Sequence, residues 1–392
     1  SVSKNKVKTS EMQERGKVPV VDQGQSFIAG YVDNEDLEIK LPGPVIVFGD
    51  HTSALKYIDF NFVAGADGVK ILRPILGYER YFYLVAKTLP IENRGYGRHY
   101  SRLIDNLFPL PPLDEQNRIV AKVDELMALC DQLEQQTENS ITAHQTLVGT
   151  LLTTLTNSVN AEELQQNWAR IEIHFDTLFT TEHSIDQLKQ TIRQLAVMGK
   201  LVPHDPNDEP ASVLLEKIAE EKARLIKEGK IKKQKPLSLI SEKEKPFKLP
   251  NRWVWSRIGN ASISTDYGLS DKASVGGNGV PVLAMGHIQS GKVLLDAKKV
   301  VPESVKSLPE LYLKNRDLLY NRTNSAELVG KTGLFNGDSK QYTFASYLIR
   351  IRTLKDTALP EFININMLTP TFRTTQINPH LKQQCGQANV NG

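Results

Sequence analysis

Polar and basic residues are gathered in turns between short apolar runs at both ends of the chain. Toward the N-terminus the groups are Gln23, Gln25 and Ser26, then His51, Thr52, Ser53 and Lys56, then Arg94, Arg98, His99 and Tyr100. Toward the C-terminus they are His287, Gln289 and Lys292, then Arg322, Thr323 and Asn324, and finally Gln387 and Asn389. Side chains of these types, on loops held by a rigid scaffold, can hydrogen-bond to the phosphates and base edges of DNA. An ordinary solvated loop residue is the alternative at each single position, so DNA contact is predicted for the groups.

The sequence predicts no catalytic residue and no metal site. An adenine methyltransferase would carry a G-x-G-x-x-G cofactor loop, whereas Gly276–Gly279 lacks that spacing and is better explained as a turn. Asn378–His380 begins like the Asn-Pro-Pro-Tyr motif of such enzymes but lacks the second proline and the aromatic residue. Glu242–Lys245 has the acid-x-Lys spacing of a metal-dependent nuclease, yet it lies in a proline-flanked linker where solvated charge explains it. The histidines show no metal-ligand spacing, so the chain is predicted to perform no bond chemistry.

Length and composition indicate a globular protein of several domains. With 392 residues the chain can form two or three domains, each with its own core. The 40% apolar and 24% charged residues are ordinary, and the net charge of +3 neither demands nor excludes nucleic acid. No run reaches the roughly 18 apolar residues of a membrane span, and no apolar signal core opens the chain. Cys130 and Cys385 lie far apart, as in a protein of the reducing cytoplasm, which is the predicted location.

The polar groups stand beside segments that occur twice along the chain. The matching segments are Val18–Gly24 with Val280–Gly286, Val45–Thr52 with Asp317–Asn324, and Ala66–Arg73 with Ala345–Arg352. The β-branched runs Val18–Val21, Val45–Phe48 and Val69–Leu72 predict strands, and Glu79–Leu89 predicts a helix. The repeat therefore predicts two copies of one mixed α/β domain. Because the turns of the two copies differ, they are predicted to bind unlike targets.

A long helical stretch separates the two copies. Pro109–Leu113 fixes an extended path, and the acidic Asp114 begins a helix that runs to Ser158 with no proline and one glycine. Such a helix of about 45 residues would be roughly 65 to 70 Å long. Its apolar seam has the heptad spacing typical of a helix packed lengthwise on a partner helix. The seam consists of Ile119, Val123, Leu126, Cys130 and Leu133, and after a weaker stretch of Leu147, Leu151 and Leu155.

Two further helices and a basic connector complete the middle of the chain. The helices are predicted over Ser184–Met198 and from about Val213 to Gly229, with glycine as the terminating residue of each. Between Lys222 and Lys235 lie seven Lys or Arg residues, which form either a solvated face or a contact with a phosphate backbone. The strand-and-turn pattern returns at Trp253.

Four segments resemble the specificity subunits of type I restriction–modification systems. They are Leu107–Val120, Gln194–Ala211, Lys245–Trp255 and Gly386–Gly392. In that family such segments mark the entry into a conserved helical region, its continuation, the entry into a second target recognition domain and the end of that domain. The resemblance implies a mixed α/β (α+β) fold with two repeated target recognition domains separated by a long-helix coiled-coil spacer. The predicted domains are residues 1–108, 109–248 and 249–392.

The resemblance also implies a non-catalytic reader of DNA. The two domains would read the halves of a bipartite, asymmetric site in double-stranded DNA. The helices would dock methyltransferase subunits, expected to be two, and restriction/translocase subunits through them. S-adenosylmethionine, ATP and Mg are expected in those partner subunits, and no cofactor is expected in this chain. Residues before Ser1 and a second conserved helix after Gly392 are expected to be missing. The alternative is an interaction scaffold that binds no DNA, which predicts weak, salt-insensitive association with duplexes.

Overall fold

The computed structural model describes residues 6–65, 68–91, 97–354, 359–384 and 387–390. The chain forms two compact units, Ser1–Ser140 and Ile141–Gly392. The division between the units falls within the long helix that the sequence predicts. The domain boundaries after residues 108 and 248 remain predictions.

The first unit consists of short strands followed by helices. The strands are β1 (Lys6–Val7), β2 (Val18–Val21), β3 (Gly30–Val32), β4 (Val45–Gly49), β5 (Leu55–Ile58), β6 (Val63–Gly65) and β7 (Val69–Leu72). The helices are α1 (Glu79–Thr88), α2 (Tyr100–Asp105) and α3 (Leu113–Asn157). Valine, isoleucine and leucine fill the longer strands because they pack well on a pleated surface. The three predicted strands and the predicted helix at Glu79 are confirmed.

Two sheets enclose the core of the first unit. One sheet has the order β1-β6-β2-β3, and in the other β4 lies between β5 and β7. Val21, Val47, Ile58 and Phe62 belong to one buried cluster that draws on strands of both sheets. Burial of each such side chain contributes about 1.5 to 3 kcal/mol. Phe48 faces a separate cluster with residues of α1 and α2, so β4 is covered on both faces.

The long helix α3 is confirmed over nearly the predicted residues. Asp114 and Glu115 lie in its first turn, where negative charge is favourable. The Gln116 side chain is buried near this end: it donates to the Pro111 carbonyl and accepts from Tyr78 N, both at 2.9 Å. These hydrogen bonds fix the beginning of α3 to the first unit.

The second unit begins with the C-terminal part of α3 and a helical cluster. The helices are α4 (Ala161–Ile173), α5 (Phe175–Leu178), α6 (Glu182–Val197), α7 (Ala211–Lys227) and α8 (Ile258–Ala261). Leu155 of α3, Ile171 of α4 and Leu195 of α6 share one buried core. Thr181 caps the start of α6, and Gly199, with φ of 69°, follows its end in the left-handed conformation.

The remainder of the second unit is rich in strands. These are β8 (Ser262–Tyr267), β9 (Ser274–Val275), β10 (Val280–Leu283), β11 (Ile288–Gln289), β12 (Gly291–Val293), β13 (Lys299–Val301), β14 (Leu318–Asn321), β15 (Thr323–Asn324), β16 (Thr332–Leu334), β17 (Thr343–Phe344), β18 (Leu348–Thr353), β19 (Lys382–Gln384) and β20 (Gln387–Asn389). The helices are α9 (Leu308–Leu311), α10 (Pro360–Met367) and α11 (Pro370–Phe372), the last continued by a π-helical turn at Arg373–Ile377. The sheet orders are β11-β12-β16-β14-β18-β8, β17-β10-β13-β9 and β15-β20-β19.

The two units pair equivalent strands in the same register. The equivalent pairs are Gly49–Val69 with Asn321–Leu348 in antiparallel strands, and Val20–Val63 with Val282–Thr343 in parallel strands. The first pair joins positions that the sequence repeat had matched, and in the second pair the repeat had matched Val20 with Val282. A one-residue slip would turn every side chain to the opposite face, so agreement of register is a strict test. The repeated mixed α/β domain is therefore confirmed, with one copy before and one after the helical stretch along the chain.

Candidate nucleic-acid interface

Two of the predicted polar groups of the first unit meet at the turn after β4. Gln23 joins them, because its Oε1 accepts a hydrogen bond from His51 N at 3.3 Å and its carbonyl accepts one from the Thr52 hydroxyl. Ser53 has a φ of 57° and completes the turn. Gly68 borders the turn with a φ of 99°, and a Cβ at this position would collide with the Gln23 side chain. Glycine is therefore required at this close approach.

Asp50 fixes the third polar group to the same turn. Its N–H donates to the Gly68 carbonyl, and its own carbonyl accepts from His99 N, both at 2.7 Å. Its carboxylate accepts from Tyr100 N at 2.9 Å. Lys70 Nζ lies 3.9 Å from the same carboxylate and 5.5 Å from the centre of the Tyr100 ring. Asp50 is only 3% exposed, so it is a buried anchor for the loops around it.

Lys56 and His99 lie inside the first unit. The Lys56 side chain is 4% exposed, and its Nζ donates to the Asp22 carbonyl at 2.9 Å and lies 3.4 Å from the Asp22 carboxylate. Burial lowers the pKa of Lys56, and the Asp22 carboxylate opposes this effect. His99 is 1% exposed, with its Nδ1 2.9 Å from the Asp50 carbonyl oxygen. In this structure both residues hold loops in position.

Exposed members of the same groups lie on the surface of this loop cluster. Gln25, Ser26, Thr52 and Arg98 are exposed. Arg94 lies outside the described residues. The exposed residues could reach an external partner while the buried ones keep the loops together.

In the second unit the backbone of Arg322 is anchored in the same way as that of Asp50. Arg322 N donates to the Tyr347 carbonyl at 3.1 Å, and the Arg322 carbonyl accepts from Val390 N at 2.9 Å. In both copies, therefore, the residue that follows β4 or β14 is held by two backbone hydrogen bonds, one through its N–H and one through its carbonyl. The Arg322 guanidinium lies over the Tyr267 ring, 4.9 Å from its centre.

Two predicted groups of the second unit also lie side by side. β15 pairs with β20, so Thr323 faces Asn389 and Asn324 faces Ala388. The Thr323 hydroxyl donates to Asn389 Oδ1 at 2.7 Å and is buried. Gln387 opens β20. This pairing leaves Arg322 and Asn324 as the more accessible side chains of the turn.

The predicted group of His287, Gln289 and Lys292 lies at the hairpin of β11 and β12. Gln289 of β11 lies opposite Lys292 of β12, and both are exposed. His287 turns inward instead, since its Nδ1 accepts from Ala284 N at 2.9 Å. The hairpin offers an amide and an ammonium group on one short surface.

Comparison with known proteins finds a family model and several relatives that match parts of the chain. The family described as "Type I restriction modification DNA specificity domain" matches residues 2–143. The specificity subunit of the type I restriction enzyme EcoAI of Escherichia coli is 68% identical over 156 residues, which are 40% of this chain and 26% of that protein. The EcoEI specificity subunit of the same species is 48% identical over 261 residues, 66% of this chain and 44% of that protein. Residues 2–143 of this chain thus match the DNA specificity domain of type I systems, and the two similar relatives are type I specificity subunits.

The chain spans about a quarter of the EcoAI subunit and less than half of the EcoEI subunit. A chain from a solved structure concerned with complex assembly and conformational transition of a type I restriction–modification system is also similar. It is 15% identical with a TM-score of 0.42, and the match covers 86% of this chain and 65% of that one.

The predicted apolar seam of α3 is largely open to solvent. Leu126, Leu133 and Leu147 are 48%, 53% and 51% exposed, while Ile119, Val123 and Leu151 are partly buried. At the C-terminal end of α3 the buried positions are Val148, Leu152 and Leu155, because α4 and α6 pack on that face. The seam from Leu126 to Leu133 is thus an apolar strip without a helix packed on it in the described part of the chain.

The basic run is partly neutralised within the second unit. Lys222 Nζ donates to the Gly259 carbonyl at 2.8 Å, and burial lowers its pKa. Arg224 pairs with Glu221 and Glu228 of the same helix. These contacts favour the interpretation of a solvated and internally paired face for α7.

The described residues show no group of His, Cys, Asp and Glu that could hold a metal ion. Within the same residues no helix is long and apolar enough to cross a membrane. Glu242–Glu244 forms a short 3-10 turn, and Glu244 is bound by Arg257 at 2.9 Å. The Glu244 carboxylate of this acid-x-Lys segment is therefore used in a salt bridge within the linker.

Sequence reasoning missed Asp50 and Tyr267. Asp50 lies within the repeated turn, but as an acidic residue it was not an obvious partner for DNA. The sequence signal that could have found Asp50 is its position in the repeat, which corresponds to the position of Arg322 in the other copy. Tyr267 ends β8, for which the sequence repeat offers no counterpart, and only the folded sheet brings it to Arg322.

Proposed function

We propose that this chain is the DNA-recognition part of a type I specificity subunit. The two repeated domains read the two halves of a bipartite, asymmetric site in double-stranded DNA. The chain performs no bond chemistry, and adenine methylation and cleavage belong to partner subunits that use S-adenosylmethionine, ATP and Mg. Its location is the cytoplasm. This function extends to the chain what the names of its relatives state, namely that they are specificity subunits of restriction enzymes.

The observation that carries this proposal is that similar backbone hydrogen bonds hold unlike side chains at the corresponding positions of the two copies. Asp50 and Arg322 take equivalent backbone hydrogen bonds, yet one is a buried carboxylate and the other a guanidinium stacked on a ring. A scaffold that repeats its backbone while changing its side chains suits a reader of two different sequences. A palindrome would be better served by two identical loops, because symmetric half-sites require equal contacts.

The exposed strip of α3 supports a partner-binding role for the helical stretch. Leu126, Met127, Leu129 and Leu133 are each about half exposed, at 48 to 56%. Contiguous exposed apolar side chains at heptad spacing are typical of a helix that packs on another helix. We infer that a second conserved helix and two methyltransferase subunits, with restriction subunits bound through them, cover this strip in the assembled complex.

Salt-dependent binding tests the proposal. The full-length protein with its methyltransferase subunits should lose about 10³-fold or more in affinity for its site between 50 and 200 mM salt, and should prefer that site over unrelated duplexes. Arg322→Glu should lower site affinity by about 5- to 150-fold without disturbing co-purification of the methyltransferase subunits. Arg170→Glu in α4 is the matched charge control and should leave affinity unchanged. Affinity that is independent of both salt and sequence would favour the interaction scaffold instead.

A further inference from the structure

Arg322 differs from Arg350 and Arg352 of β18 because its charge has no acidic partner among the residues that the structure describes. Arg350 donates to the Asp266 carboxylate at 2.7 Å, and Arg352 is paired with the Asp317 carboxylate. Among the residues that the structure describes, no oxygen accepts a hydrogen bond from the Arg322 guanidinium, and its Nε is buried without a partner. A guanidinium with five donors left unused in this way is costly unless a ligand completes it.

The guanidinium of Arg322 is nevertheless held in a defined place. It lies over the Tyr267 ring, 4.9 Å from the ring centre, and the backbone of Arg322 is fixed by hydrogen bonds to Tyr347 and Val390. Tyr267 is itself rigid in the backbone, since it lies opposite Ile349 in the six-stranded sheet. The ring is half exposed, so the stack lies at the surface. A guanidinium held over an aromatic ring by such a contact has a restricted position, and its terminal N–H groups are left for a ligand.

We propose that Arg322 reads one guanine in the half-site bound by the second unit, and that Tyr267 is the positioning residue that holds the guanidinium in the plane of that base. This inference rests on the function proposed above. The two terminal N–H groups of a fixed guanidinium match the O6 and N7 acceptors of guanine in the major groove. A phosphate contact is the competing use of this arginine. It tolerates many orientations and is independent of sequence, so it gives no reason for a preset plane.

The test uses the full-length protein in complex with its methyltransferase subunits and a target site defined by mapping methylated adenines. Each guanine of the site is replaced in turn by 7-deazaguanine, which removes only the N7 acceptor. For one guanine the wild-type complex should bind about tenfold more weakly, as expected for the loss of one hydrogen bond to a charged group. Arg322→Ala should bind more weakly overall and should be indifferent to that same replacement.

Tyr267 is tested with three variants of one position. Tyr267→Phe keeps the ring and should keep the tenfold effect. Tyr267→Ala should reduce it to about two- or threefold while leaving the salt dependence unchanged, because no phosphate contact is lost. Tyr267→Leu keeps apolar bulk without a ring and should behave like the alanine variant, which guards against a simple loss of folding. A thermal melt of each complex checks that folding is intact.

The possible results separate the two proposals. If no guanine is sensitive in the wild type, or if Arg322→Ala retains the sensitivity, the guanine contact is wrong although sequence-specific binding stands. If only Arg322 matters and Tyr267→Ala behaves as wild type, the positioning role is wrong. If the complex shows no sequence-specific binding at all, the proposed function itself fails.

Discussion

Removal of the Asp50 carboxylate should loosen the loop cluster of the first unit. In Asp50→Ala the Tyr100 N–H loses its acceptor at 2.9 Å, and an unsatisfied amide costs about 1 to 3 kcal/mol. The pair with Lys70 at 3.9 Å adds little, because the Lys70 side chain is 39% exposed. The backbone hydrogen bonds of residue 50 do not depend on its side chain. We therefore expect the first unit to lose about 1 to 3 kcal/mol of unfolding free energy, and more than in Asp50→Asn.

Asp50→Asn separates charge from hydrogen bonding. Asparagine keeps an oxygen that can accept from Tyr100 N, so its cost should be about 1 kcal/mol, near the value of a neutral hydrogen bond. Chemical denaturation, followed by a probe in the first unit, measures both variants. Asp59→Ala, which removes an exposed carboxylate of the same unit, is the control and should change little. The exposed Arg98 belongs to the released segment, so affinity for the first half-site should fall in the same order.

Equal stability of wild type and Asp50→Ala would refute this reasoning, since a buried acceptor cannot then be holding the Tyr100 amide. Equal losses in the alanine and asparagine variants would also contradict it. That result would mean that charge, and not the hydrogen bond, is what stabilises the turn.

Two further predictions concern the helix and the sheet. The double variant Leu126→Lys, Leu133→Lys should leave the stability of this chain nearly unchanged, because both side chains are about half exposed. It should nevertheless abolish co-purification of methyltransferase subunits. The control Leu155→Lys, at a buried position, should instead unfold the helical core. Survival of assembly in the double variant would show that the seam is misassigned. Burial raises the pKa of Tyr320 to about 12 from 10.0, so the unfolded chain ionises first and stability should decline between pH 10 and 12 by about 2 to 3 kcal/mol at most. Tyr320→Phe should remove this part of the alkaline loss of stability, measured as the difference in unfolding free energy from wild type. The control Tyr347→Phe, at an exposed ring, should not remove it. Identical stability curves for wild type and Tyr320→Phe at alkaline pH would refute the prediction.

Much of the fold was accessible to sequence reasoning because its signals are local. The limits of α3 follow from the absence of proline and from acidic residues at its start. The repeated strands follow from β-branched runs whose spacing recurs. α4 is absent from the prediction although Leu164, Trp168 and Ile171 carry helical spacing of four and three. This apolar spacing is that of a helix, so α4 was predictable from the sequence.

The candidate site was less accessible because its contacts are distant in sequence. The hydrogen bond between Gln23 and His51 spans 28 residues, and that between Asp50 and Tyr100 spans 50. No local pattern encodes such distances, so the groups could be named but their convergence could not. Lys56 shows the same limit, since lysine is seldom buried unless paired and its partner Asp22 lies 34 residues away.

Methylated adenines mapped across the genome of a host that carries the system test the central claim most directly. The account predicts one bipartite motif with two unlike halves, and it predicts that Arg322→Ala relaxes only one half. Replacement of Gln25 and Ser26 by alanine should relax only the other half. A palindromic or continuous motif would contradict the account, and so would a pair of variants that both alter the same half.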